Sequence, residues 1–294
     1  MSGIIWWHSR QRLEPLERSG VPFAVPGTLF GESVFETMRA YSGKIFRLEA
    51  HFDRMRRSLV ELGWRSAGDP AVMALPGLRE VLSAPMLANW KDLRIRITVF
   101  NVGDLSGVED DFHSFQWAVQ AMPYIPPADH TYANGIAAIS TQVRIEPQAV
   151  WSRHKTGNRL PYRQAAREMA RAGAKEGILL SPDGYLVDGT TSNLFWVRDG
   201  VIMTPPLAMG CLPGITRGEV LDLAMSEGMP VEPGKYTPDE IFTAQEAFCT
   251  NALIGVMPVT VWNQRPIGSG RPGPITKHLR DAYQRRVAEA ARLP

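Results

Sequence analysis

Lysine is scarce enough in this chain for each one to be inspected singly: Lys44, Lys91, Lys155, Lys175, Lys235 and Lys277. A lone lysine is ordinarily a solvated surface charge. Lys155 stands apart by its context, Trp151-Ser152-Arg153-His154-Lys155-Thr156-Gly157-Asn158-Arg159-Leu160. A second candidate for chemistry is Arg94-Ile95-Arg96-Ile97-Thr98-Val99. Its period-two pattern predicts a strand with Arg94 and Arg96 side by side on one face. Such a face is either solvated or a surface for carboxylates, which guanidinium forks grip bidentately. Other templates fail. His8, His51, His113, His130, His154 and His278 lack zinc-site spacing, and Cys211 and Cys249 make no Cys-x-x-Cys. There is no Gly-x-x-x-x-Gly-Lys phosphate loop and no Gly-x-Ser-x-Gly elbow. Gly268-Ser269-Gly270-Arg271-Pro272-Gly273 matches a dinucleotide fingerprint, but only about twenty residues follow it, too few for a βαβ unit. Pro272 and Pro274 suit a loop better.

These residues need elements to hold them. With 294 residues, the chain is long enough for one large domain or two moderate ones. Apolar residues at 44% and charged residues at 21% are ordinary globular usage, which excludes a disordered chain, and 26 Gly with 23 Pro point to many turns. A formal charge of +2 is too small to point to nucleic acid. Two cysteines rule out a disulfide framework. No run approaches the ~20 apolar residues of a membrane span, and Ile4-Ile5-Trp6-Trp7 is too short for a signal-peptide core. A soluble cytoplasmic protein is expected.

Leu48, Phe52, Met55, Leu59 and Leu62 recur at helical spacing and predict a helix over 48–63. Strands are expected near 34–47 and 93–100, and a second helix near 75–88. Pro123, Pro126 and Pro127 mark 121–129 as a linker, between a smaller N-terminal α/β domain at 1–120 and a larger C-terminal domain at 130–294. In the second part, Pro182-Asp183-Gly184 and Arg198-Asp199-Gly200 are hairpin turns. Helices are expected near 160–172, 215–228 and 275–292, with strands near 136–143 and 246–263. Hairpins interspersed with helices argue for an α+β fold and against a doubly wound sheet.

Five separated segments together resemble the class IV, or fold type IV, pyridoxal-phosphate enzymes. They are Gly31-Glu32-Ser33-Val34-Phe35-Glu36-Thr37-Met38-Arg39 with His51-Phe52-Asp53-Arg54, the Lys155 segment, Asp188-Gly189-Thr190-Thr191-Ser192-Asn193, Gly214-Ile215-Thr216-Arg217, and Thr250-Asn251-Ala252-Leu253. The resemblance implies a two-domain fold like that of D-amino acid aminotransferase. It also implies a pyridoxal 5'-phosphate cofactor, a small-molecule amine substrate and a homodimer.

By the same resemblance Lys155 is the Schiff-base lysine and the proton-transfer base. Asp188 stands at the pyridine nitrogen, where relatives usually carry a glutamate, one methylene longer. Arg54, Ile215 and Thr216 surround the phosphate, since a helix N-terminus offers unpaired amides to a dianion; Asn251 and Ala252 form the second phosphate-side loop. For Arg54 the plainer reading is a surface ion pair with Glu49 or Glu61, and for Thr216 an ordinary helix cap. Thr37 is the family-position candidate for a general acid. Lys155-x-x-Asn158-Arg159 and Asn251-Ala252 are similar to 4-amino-4-deoxychorismate lyases, which release 4-aminobenzoate and pyruvate for folate synthesis. The two carboxylates of that substrate make Arg39, Arg94, Arg96 and Arg159 binding candidates. The alternatives are an aminotransferase acting on D-amino acids, branched-chain amino acids or related amines, and a non-catalytic scaffold of the same fold. Leu160 replaces the cofactor-binding tyrosine of branched-chain transaminases, and Tyr162, on a helix, is expected to face elsewhere.

Overall fold

In the computed structural model, which describes residues 3–106 and 114–292, the chain divides into two compact units. The first runs to Pro126 and takes in His154–Asn158 and the chain end from Ala290; the second holds Pro127–Arg153 and Arg159–Glu289.

The first unit is built on strands β1 (Ile4–Trp7), β2 (Arg12–Pro15), β3 (Ser33–Tyr41), β4 (Lys44–Ile45), β5 (Asp92–Asn101) and β6 (Phe115–Pro123), with helices α1 (Pro26–Leu29), α2 (Leu48–Glu61) and α3 (Pro70–Leu82). The sheet order is β2-β1-β6-β5-β3-β4, and every pairing in it is antiparallel. Strand alternation sorts its side chains into two sets. Met38, Ile95, Ile97, Val119 and Trp6 join Phe52, Met55 and Leu59 of α2 and Leu78 of α3 in one buried core. The opposite face carries Ile5, Trp7, Phe100 and Ala118, a smaller cluster, together with the arginines.

The helix expected at 75–88 begins instead at Pro70. The Asp69 side chain accepts from the Ala71 amide at 2.8 Å, and Pro70 occupies the first turn, where its missing N–H costs nothing. The helix ends at Leu82 and a 3₁₀ turn, Pro85–Leu87, follows, since the residue before a proline resists helical geometry. The stretch expected as a linker, 121–129, opens as the end of β6 and closes as the start of a helix.

The lysine segment is taken from the C-terminal half of the chain and packs with the first unit. The Phe35 amide donates to the Lys155 carbonyl at 2.9 Å, and the Gly157 amide donates to the Ser33 carbonyl at 2.8 Å. A bridge joins Val34 and Thr156. The segment thus runs antiparallel beside the start of β3, its backbone groups paired as buried amides require.

In the second unit follow α4 (Asp129–Asn134), β7 (Ile136–Arg144), α5 (Leu160–Arg171), β8 (Glu176–Leu180), β9 (Leu186–Gly189), β10 (Asn193–Arg198), β11 (Val201–Thr204), α6 (Ile215–Ser226), β12 (Val231–Pro233), β13 (Glu246–Asn251), β14 (Gly255–Trp262), β15 (Arg265–Pro266) and α7 (Pro274–Arg292). The sheet runs β12-β11-β10-β13-β14-β7-β8-β9, with β15 on β14. Its β7–β8, β7–β14 and β11–β12 pairings are parallel, so it is mixed. Both Asp-Gly hairpins form as expected. Leu194, Trp196, Cys249, Met257 and Trp262 lie at the middle of its core. The glycine-rich run is the turn into α7, where the Glu246 carboxylate accepts from the Ile275 and Thr276 amides at 3.0 and 2.7 Å.

Candidate active site

In the first unit the Lys155 amine lies 4.8 Å from the centroid of the Phe35 ring, and the Arg96 guanidinium lies 3.6 Å from the same centroid. Phe35 projects from β3, which pairs residue by residue with β5: Thr37 faces Arg96, and Arg39 faces Arg94. Arg39 is engaged by Asp92 at 2.9 Å and by the rings of Tyr41 and Tyr124. Arg96 donates to the Thr98 hydroxyl at 3.0 Å. Arg94 makes no hydrogen bond or ion pair among the described residues. A concavity of about 640 Å³ opens on this face, lined by Trp7, Thr28, Arg94, Arg96, Phe100 and Gln120 among others, with no carboxylate in its described lining. Like charges directly opposite one another on paired strands are unfavourable. Arg39 and Arg94 are such a pair, and only Arg39 has a carboxylate beside it.

Arg54 is buried on the helix side of the same sheet, where it pairs with Glu36. Its Nε and Nη2 donate to the two Glu36 oxygens at 2.7 and 2.6 Å. His51 Nδ1 lies 2.8 Å from the same carboxylate. Burial alone would raise the Glu36 pKa, but the Arg54 charge and the hydrogen bonds from His51 and Arg54 hold it well below the usual carboxylate range. Burial pushes His51 down against the opposing influence of Glu36, and because a carboxylate only accepts, the Nδ1 facing it carries the hydrogen. One residue before the lysine, His154 is buried, with Nδ1 3.0 Å from the Ser58 hydroxyl and Nε2 3.3 Å from Glu61.

The second unit carries the remaining candidates. Asp188 is buried at the end of β9. Its Oδ1 accepts from Asn193 Nδ2 at 2.9 Å, and its Oδ2 accepts from the Leu212 amide at 3.0 Å. Burial pushes its pKa up to about 7, against the opposing influence of those hydrogen bonds and of Arg217 and Arg159. Arg159 donates to the Thr190 carbonyl at 2.8 Å and stacks over Tyr162 at 3.3 Å. Tyr162 therefore does not face away. At i and i+3 of the first turn of α5 the two side chains meet, and burial raises the Tyr162 phenol within the field of Arg159 and Asp188. Asn251 accepts the Leu253 and Ile254 amides in a tight turn that includes Ala252.

Two acids that sequence reasoning overlooked organise these groups. Glu36 is one. Glu176, the other, is buried and accepts from the Gly177 and Thr190 amides and from the Thr190 and Ser192 hydroxyls, at 2.5 to 2.9 Å. It fixes the loop between β9 and β10. A glutamate inside a strand of ordinary polarity gives no sequence signal of such burial.

A ring cofactor with a phosphate tail fits these residues. Helix α6 starts at Ile215 and Thr216 with no side-chain cap. A side chain at Gly214 would run into Asn193, so the backbone there stays bare. Arg217 Nε and Thr250 Oγ1 are buried without a hydrogen-bond partner, donors left over beside an uncapped helix start. The buried Asp188 carboxyl is suited to a cationic ring N–H.

Comparison with known proteins agrees. Residues 33–262 match the family described as Amino-transferase class IV. The chain is 30% identical to a branched-chain-amino-acid aminotransferase of Pseudomonas aeruginosa, over 96% of this chain and 92% of that one. It is also 30% identical to a D-alanine aminotransferase of Bacillus licheniformis, over 89% of each chain. It spans 46% of the length of the branched-chain-amino-acid aminotransferase-like protein 1 of Arabidopsis thaliana. Among solved structures, the branched-chain amino acid aminotransferase of Thermobaculum terrenum in its PLP-form superposes with a TM-score of 0.82 at 26% identity, covering 98% of this chain and 94% of that one.

Proposed function

Because the chain belongs to the class IV aminotransferase family, with the fold type IV architecture and pyridoxal 5'-phosphate as cofactor, we propose that it is an aminotransferase moving an amino group from a small amino acid to a keto acid. The observation that carries this reading is the Lys155 amine on Phe35 beside the cationic concavity of Arg94 and Arg96. When bound, the cofactor supplies an electron sink for the carbanion at the reacting carbon. Arg54, Ile215 and Thr216 would hold its phosphate with the Asn251-Ala252 turn, and Asp188 its ring nitrogen.

Lys155 then carries the proton between the substrate carbon and its product. A lysine amine serves as a base only when deprotonated. Arg96 shares the Phe35 ring with it. Arg94 and Arg96 receive carboxylate. Arg39, which sequence placed with them, orients the face through Asp92. Arg159 acts at Asp188, and Thr37, opposite Arg96, borders the substrate. The working form is a homodimer, which light scattering tests.

The Lys155-x-x-Asn158-Arg159 and Asn251-Ala252 spacings favour a second reading, the aminodeoxychorismate lyase; the names of the relatives weigh toward the aminotransferase. Purified enzyme is supplied with D-alanine or a branched-chain amino acid plus 2-oxoglutarate, and separately with aminodeoxychorismate alone. Glutamate formation that requires the keto acid supports the aminotransferase. Pyruvate released from aminodeoxychorismate with no acceptor, and no glutamate in the other arm, overturns it.

A further inference from the structure

We propose that Glu36 is a positioning residue for the cofactor phosphate, acting through Arg54. Its place in β3 is unusual. Strand alternation puts position 36 on the face shared by Val34, Met38 and Ala40, all buried toward the helices. A carboxylate in that row is 1% exposed and surrounded by core. An apolar residue would fill the space without desolvating an ion, and buried ion pairs are on balance no more stable than hydrophobic replacements. The pair is therefore a poor device for holding the sheet together and a good one for fixing a guanidinium.

The geometry says how. Arg54 spends Nε and Nη2 on the two Glu36 oxygens, a planar two-point grip that leaves a guanidinium little rotation. The grip fixes both the plane and the direction of the guanidinium. His51 Nδ1 secures the same Glu36 oxygen that holds Nη2, so the carboxylate is itself held. Residues 51 and 54 are one helical step apart on α2 and present both groups to one point on β3. The arrangement is a guanidinium aimed in advance, comparable to the outer partners that orient metal ligands.

This inference rests on Arg54 meeting the phosphate. It does not follow from charge alone, because the negative charge of Glu36 opposes a dianion; orientation has to outweigh repulsion. In Glu36→Gln the amide oxygen keeps the position where Arg54 Nη2 and His51 Nδ1 both donate, its N–H donors then confront Arg54 Nε, and the guanidinium swings out of its plane.

The test measures dissociation constants of pyridoxal 5'-phosphate and of pyridoxal, which lacks the phosphate, for the wild type, Glu36→Gln, Arg54→Gln and the double variant. Both single variants are expected to weaken pyridoxal-phosphate binding by about tenfold to a hundredfold, the range seen for outer-shell partners. Pyridoxal affinity stays unchanged, and the double variant is no worse than Arg54→Gln. The pyridoxal measurement also reports that each variant is folded. If Glu36→Gln weakens both ligands equally, leaves both alone or tightens the phosphate form while Arg54→Gln discriminates, the positioning role of Glu36 is overturned. If Arg54→Gln itself fails to discriminate, the phosphate reading of Arg54 falls, and this inference with it.

Discussion

Lys155, the residue proposed to carry the chemistry, lies where its amine and the Arg96 guanidinium share one aromatic ring. Borohydride treatment of the cofactor-loaded protein should place a stable adduct on Lys155, and Lys155→Ala should abolish both the adduct and turnover; mass spectrometry of the digest reads this directly. Asp188 makes a prediction of opposite character. Its folded pKa of about 7 exceeds its ordinary 3.8, so the cofactor-free folded protein binds this proton more tightly than the unfolded chain. Its favourable contribution is complete below pH 4 and is lost as pH rises through 7. The loss is at most roughly 4 kcal/mol, from about three pKa units. Urea titrations at pH 5 and 8 should therefore show cofactor-free protein losing stability with pH, and Asp188→Asn should flatten that slope. The candidate residues could be named from sequence because each lies in a short segment with a local pattern. Glu36 and Glu176 were not, since nothing local marks a glutamate whose partners lie on α2 or in a distant loop.

At the scale of elements, the strand β5 and the helix α2 were legible from period alone, because each buries one regular stripe. The helix α3 starts several residues ahead of where its periodicity points, for its start depends on the Asp69 cap and Pro70, and the interior Pro76 obscures the pattern. The last residues of β6 were hidden by the prolines that follow them. The pairing of residues 155–157 with β3 joins segments over a hundred residues apart and leaves no trace in either one. That pairing makes Gly157 sensitive. A methyl group there would collide with the Ser33 side chain and press on the Gly31 carbonyl at 3.0 Å. Gly157→Ala should cost about 1–3 kcal/mol by overpacking and slow trapping at Lys155, a combination that thermal melts and timed borohydride quenches would detect. Phe52→Ala, emptying the fully buried middle of α2, should cost about 3–5 kcal/mol, measured by denaturant unfolding.

For the whole molecule, a ligand that binds only the folded chain stabilises it by mass action. At a hundredfold excess over its dissociation constant, pyridoxal 5'-phosphate should add about 2.7 kcal/mol, and that gain should shrink in Lys155→Ala; melting temperature against cofactor concentration gives the comparison. Among the described residues no helix is long and apolar enough to cross a membrane, and no cluster of metal-ligating side chains occurs.

The first unit draws the segment that carries Lys155 from beyond residue 150, which has a consequence for biosynthesis. A nascent polypeptide halted at residue 126 has every strand of that unit's sheet but not the piece bearing the amine. The ribosome must make about thirty more residues before this piece can dock. Expressed by itself, the leading fragment should leave the flank of Ser33–Phe35 uncovered, and a synthetic peptide spanning the missing stretch is the natural candidate to bind there and restore it.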